Sequence, residues 1–178
     1  MTTGRYREEV FNVVLAQILD QRGVVTAPEQ SLQQIVEGKA RRQMPDVIVS
    51  FRGLRTVIEG KVDDQVGADQ SALKDAHERI DKGIAHIAVA VLYPSVLRKI
   101  EFVNLTTALE ETTLKIAVVS EAEEIGWVAG DVGYLADLLR RTYDQLVAED
   151  VVTMAAQELD SGVSAFAATA FINKATIQ

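Results

Sequence analysis

The chain has 178 residues, a formal net charge of −8, no cysteine and 48% apolar residues. Such a length and apolar share suit one domain with a sizeable core and exclude a disordered chain, while the missing thiols exclude disulfides and thiolate zinc sites and match a reducing compartment. The N-terminus has no apolar signal core, and the longest apolar run is short and interrupted by His86, so a soluble, cytoplasmic protein without a membrane span is expected.

Residues 6–21 carry Phe11, Val14, Leu15, Ile18 and Leu19 at helical spacing, with Gly23 placed to end the run. This predicts an opening helix whose apolar face rests on a sheet. At about 100° per residue, Glu8 falls on the edge of that face and Glu9 points nearly opposite. An acidic first turn favoured by the helix dipole accounts for either glutamate alone. Further on, Lys39-Ala40-Arg41-Arg42 forms a basic run, which reads as a solvated loop or as a contact for a nucleic-acid backbone.

Two apolar runs, Val47–Phe51 and Leu54–Val62, flank Arg52-Gly53, a two-residue hairpin turn. If those two residues form the loop, Phe51 faces Leu54, Val49 faces Thr56, Val47 faces Ile58 and Asp46 faces Glu59. Side chains alternate along a strand, so Lys61 shares the face of Glu59, and Val47, Val49, Phe51, Leu54 and Ile58 take the other. Opposed carboxylates repel and require compensation. A divalent cation would supply it, and so would Lys61 alone.

A polar loop over 63–68 leads to a predicted helix over 69–82, with Asp69 as N-cap, Gln70 at its entry and Gly83 past its end. Leu73, Ala76 and Ile80 form its apolar stripe, and the i,i+4 pairs Asp75 with Arg79 and Glu78 with Lys82 read as an exposed, solvated face. Residues 84–92 then read as a strand buried on both sides, brought parallel to its predecessor by the crossover helix. A short helix and loops fill 95–113, and 114–119 is a further strand. From Tyr134 the sequence turns helical, with Leu135, Leu138, Leu139, Leu146 and Val147 on one face. The expected organisation is an α/β core over 1–125 with a mixed sheet between helices, followed by a helical extension over 126–178 that either leads to a further domain or ends as a fraying terminal helix.

Other chemistries find no support in the sequence. Val62 stands where a phosphate-binding loop needs Ser or Thr after Gly60-Lys61, and neither a dinucleotide fingerprint nor Gly-x-Ser-x-Gly occurs. His77 on the helix and His86 in the buried strand lack a cluster of ligands and read as structural. Trp127 and Tyr134 read as packing residues.

Pro45-Asp46 followed by Glu59-Gly60-Lys61 resembles the PD-(D/E)xK signature of the restriction-endonuclease-like nuclease superfamily, whose core runs helix, three strands, helix, strand (αβββαβ). The resemblance implies a metal-dependent DNA endonuclease using Mg²⁺, with Mn²⁺ able to substitute, of the kind found in restriction–modification and related DNA-processing systems. It implies Asp46, Glu59 and the backbone carbonyl of Gly60 as metal ligands, Lys61 as the residue that positions or helps deprotonate the attacking water, and Glu8 as the acid of the first helix. Products would carry a 5′-phosphate. Lys39, Arg41, Arg42 and Gln70 are candidate DNA-backbone contacts. The charge of −8 opposes phosphate binding, so DNA binding is expected to draw on another domain or subunit, a homodimer included. The alternative reading is a catalytically inactive nuclease-like fold acting as a protein-interaction scaffold, in which Asp46, Glu59 and Lys61 merely neutralise one another.

Overall fold

Arg52 and Gly53 both take positive φ, 48° and 84°, the backbone of a two-residue hairpin turn whose twist matches the strands it joins. In the computed structural model, which describes residues 6–26 and 47–160 with side chains through 150, this turn joins β1 (Val47–Phe51) to β2 (Leu54–Val62). The register is the expected one: Val47 pairs with Ile58, Val49 with Thr56 and Phe51 with Leu54. The outer side of β1 carries one antiparallel bridge, Thr26 to Ser50, with both backbone bonds at 2.8 Å. Of the three strands expected before the crossover helix, β1 and β2 and this bridge are what the described residues show.

The opening helix α1 (Glu8–Gln21) ends at Gly23, whose φ of 67° supplies the left-handed residue that closes a helix. After β2 comes the crossover helix α2 (Ala68–Asp81), then β3 (Ile87–Tyr93), which pairs parallel to β2. The N-cap of α2 is Gly67 at φ 74°, not Asp69, which lies in the first turn. A left-handed residue suits glycine, and it brings the chain into the helix earlier than the aspartate would. A 3₁₀ turn (Ser95–Lys99) and α3 (Phe102–Glu111) precede β4 (Leu114–Ser120), which returns antiparallel to β3.

Residues 124–130 form a fifth strand, β5 (Glu124–Gly130), antiparallel to β4, where a helical extension was expected from Gly126. Its burial alternates only partially, with no position fully covered, so its apolar signal is faint. Helix α4 (Val132–Asp160) follows. Its first turns belong to the core, since Val132, Leu135, Leu138 and Leu139 are buried there. The sheet order β1-β2-β3-β4-β5 is mixed and open, and with its helices makes the expected α/β architecture.

Alternation along the strands builds two unequal cores. On one face Val47, Val49, Phe51, Ile58, Val89, Val91, Ile116 and Val118 pack with Phe11, Leu15, Ile18 and Leu19 of α1 and with residues of α3 and α4. Each large side chain buried there contributes about 1.5–3 kcal/mol. On the other face Val57, Ala88, Ala90, Ala117 and Val119 meet Ala72, Ala76 and Ile80 of α2. Small side chains on both sides let α2 lie close to the sheet. Arg55 secures the passage from α2 to β3, donating from Nε to the Ile84 carbonyl at 3.1 Å and from its backbone N–H to His86 Nδ1 at 3.0 Å. His86 is exposed and precedes β3, correcting its placement inside the buried strand. Among the described residues no helix is long and apolar enough to cross a membrane.

Candidate functional site

Strand β2 lies between β1 and β3 and carries Glu59, Gly60 and Lys61 at its inner end. Glu59 pairs with Ala90 and Lys61 with Leu92 of β3. Because Val57 packs with α2 while Ile58 packs with α1, Glu59 and Lys61 both rise toward α2, on one face as the alternation requires.

There they meet two residues of the crossover helix. Arg79 Nε donates to Glu59 Oε1 at 2.6 Å, with the Glu59 side chain 3% and the Arg79 side chain 13% exposed. Lys61 Nζ lies 3.5 Å from Asp75 Oδ2, a looser and wetter pair. The two spacings match: four residues of helix rise about 6 Å, and two residues of strand advance about 6.6 Å. Asp75 and Arg79 therefore face the sheet and do not pair with each other across a solvated surface as the i,i+4 spacing led us to expect. Glu78 and Lys82 do form that exposed pair, and the Lys82 ammonium bonding Glu78 holds its carboxyl below the usual range.

Gly60 points the opposite way, toward α1. A Cβ there would stand 2.1 Å from Asn12 Oδ1 and 2.5 Å from Tyr93 Cε2. Both side chains are buried, and the Tyr93 hydroxyl donates to Asn12 Oδ1 at 2.7 Å. Glycine is thus required by a close approach from beneath the strand, and this buried polar contact fixes the backbone from which Glu59 and Lys61 project.

Glu8 is engaged elsewhere. Its Oε1 accepts a hydrogen bond from Gln65 Nε2 at 2.7 Å and lies 4.0 Å from Arg98 Nη2, whose neighbour Nη1 donates to the Tyr6 carbonyl at 2.8 Å. No described contact links Glu8 to Glu59 or Lys61. Glu9 is exposed, and Gln70 is exposed in the first turn of α2. Asp46, Lys39, Arg41 and Arg42 lie outside the described residues.

Glu59 and the Gly60 carbonyl offer oxygen, the donor class a hard divalent ion takes. Together they fit part of a magnesium site, since among the described residues no three Asp, Glu or His side chains converge on one point, and Arg79 already binds one oxygen of Glu59. Sequence reasoning missed Arg79 and Asp75 as members of this cluster. The signal was available in the helical wheel, where at about 100° per residue Arg79 lies about 40° and Asp75 about 80° from the middle of the Ala72–Ala76 stripe, while Glu78 lies about 140° from it. Comparison with family models, with curated proteins and with solved structures returned no match to this chain.

Proposed function

We propose that the chain is the nuclease module of a DNA-processing system, restriction–modification being the leading instance, and that it hydrolyses phosphodiester bonds with the help of a divalent cation. The observation that carries this reading is the common face of Glu59 and Lys61 on an inner strand, with Gly60 between them, in a hairpin whose register is the one inferred from the Arg52-Gly53 turn. A buried carboxylate is expensive to keep in a sheet, and a scaffold gains nothing from one.

In this reading Asp46, Glu59 and the Gly60 carbonyl hold Mg²⁺ or Mn²⁺. When bound, the ion supplies positive charge at the phosphoryl oxygens. Lys61 positions the attacking water and offsets the charge that develops on the phosphate, and Asp75 holds the Lys61 ammonium in place. Glu8 enters only through the resemblance, as a fourth acid. The net charge of −8 assigns the grip on DNA to a further domain, subunit or second copy.

One observation favours the scaffold reading. Arg79 and Asp75 already neutralise Glu59 and Lys61, which is what an inactive ion cluster needs. Incubation of supercoiled plasmid with the purified chain at low salt and high protein concentration, where a weak grip on DNA suffices, decides between them: nicking that depends on Mg²⁺ or Mn²⁺ and stops in EDTA supports the nuclease, and the absence of divalent-dependent nicking supports the scaffold.

A further inference from the structure

We infer that Arg79 is a built-in competitor for the divalent cation at Glu59, so that the metal-free site is held closed by an internal ion pair and cation binding requires the guanidinium to leave. The inference rests on the nuclease reading in so far as a cation is expected there.

The charge-assisted bond from Arg79 Nε reaches Glu59 Oε1 at 2.6 Å, a close contact for bonds of this kind. A guanidinium and a dication on one carboxylate repel each other, and that repulsion is weakly screened where the Glu59 and Arg79 side chains are 3% and 13% exposed, so the two compete for Glu59. The exchange is a side-chain event. The Arg79 carbonyl accepts the backbone N–H groups of Ile84 at 3.0 Å and Ala85 at 3.2 Å, which anchors the end of α2 while the guanidinium re-aims. Arg79 also lies in the last turn of α2, where the helix dipole favours a cation. Lys61 and Asp75, at 3.5 Å and more exposed, keep their pairing throughout.

The size of the effect follows from how strongly the closed state is favoured. An ion that binds only the open state has its affinity lowered by the fraction of molecules in that state. Removing the guanidinium should then tighten binding at least about tenfold, the change for a closed state favoured about ten to one.

Calorimetric titration of the full chain with MnCl₂ tests this, using wild type, Arg79→Gln, Arg79→Met, Glu59→Gln and the double variant Arg79→Gln/Glu59→Gln, with Asp75→Asn as the control for loss of a neighbouring pair. The expected result is tighter Mn²⁺ binding by Arg79→Gln, no binding by either form lacking Glu59, and no tightening by Asp75→Asn. Thermal unfolding gives an independent readout: Arg79→Gln should melt below wild type in EDTA and recover on adding Mn²⁺, with Arg79→Met behaving alike if it folds. Equal or weaker Mn²⁺ affinity in Arg79→Gln, or recovery that survives loss of Glu59, would overturn the inference. Tight Mn²⁺ binding without DNA cleavage in any form removes the nuclease reading and leaves this inference standing. Cleavage by wild type with unchanged Mn²⁺ affinity in Arg79→Gln removes this inference alone.

Discussion

Glu59 and Arg79 form a buried ion pair of 2.6 Å between the inner strand β2 and the crossover helix α2. The pair couples the fold to the candidate chemistry, because the carboxylate that would hold a cation also ties the helix to the sheet.

Breaking that pair from one side should be costly. Arg79→Met is expected to destabilise the chain by about 3–5 kcal/mol, the range for removing one partner of a buried ion pair. Replacing both partners, as Glu59→Met with Arg79→Met, should recover most of the loss, since an apolar pair of similar volume is often neutral or stabilising. Urea unfolding of the single and double variants checks the order; a double variant less stable than the single would count against the description.

Gly60 should tolerate no side chain. With 2.1 Å to Asn12 Oδ1 and 2.5 Å to Tyr93 Cε2, Gly60→Ala must displace two buried groups, and the expected loss is at or above the upper end of about 1–3 kcal/mol for overpacking. Denaturant midpoints measure it. A loss below 0.5 kcal/mol, on the order of a neutral surface change, would show that the Asn12–Tyr93 contact is not pressed against the strand.

At the hairpin the effect is conformational, not steric. A Cβ on Gly53 meets nothing within 4 Å, but φ is 84°, so Gly53→Ala should cost about 1–2 kcal/mol and Gly53→Asn distinctly less. Thermal unfolding of the two variants should rank them in that order.

Glu8 is committed to Gln65 and Arg98. In a chain that cuts DNA, Glu8→Gln is therefore expected to slow cleavage by less than about tenfold, against a loss of about a hundredfold or more for Glu59→Gln, the scale on which removal of a single electrostatic stabiliser acts. Single-turnover rates at saturating Mg²⁺ separate the two, and equal losses would place Glu8 in the site after all.

The hairpin was legible because two local rules agree: a turn pair able to take positive φ, and strict alternation on either side. Together they fix the register of Val47 on Ile58 without reference to the rest of the chain. The crossover helix and the parallel strand were legible for a similar reason, since periodicity changes from helical to continuous apolar at the glycine that ends α2. What remained hidden depends on tertiary facing. Asp75 and Arg79 satisfy the same i,i+4 pattern as Glu78 and Lys82; the wheel places Asp75 and Arg79 nearer the apolar stripe, but their partners Lys61 and Glu59 follow only from the position of β2 beside α2. Strand β5 was hidden because an edge strand is partly solvated on both faces, so Gly126 and Trp127 sit in no clear alternation. The Asn12–Tyr93 contact joins residues 81 apart in sequence, beyond any local signal.

Plasmid cleavage at low salt and high protein concentration shows whether Glu59 and Lys61 on β2 cut DNA with a divalent ion. Wild type, Asp46→Asn, Glu59→Gln and Lys61→Met would be compared in Mg²⁺ and in Mn²⁺, with each variant first shown to be folded. Wild type is expected to convert supercoiled plasmid to nicked and linear forms, and each variant to be slower by about a hundredfold or more. Equal cutting by all four, or none by wild type in either ion, would contradict that role.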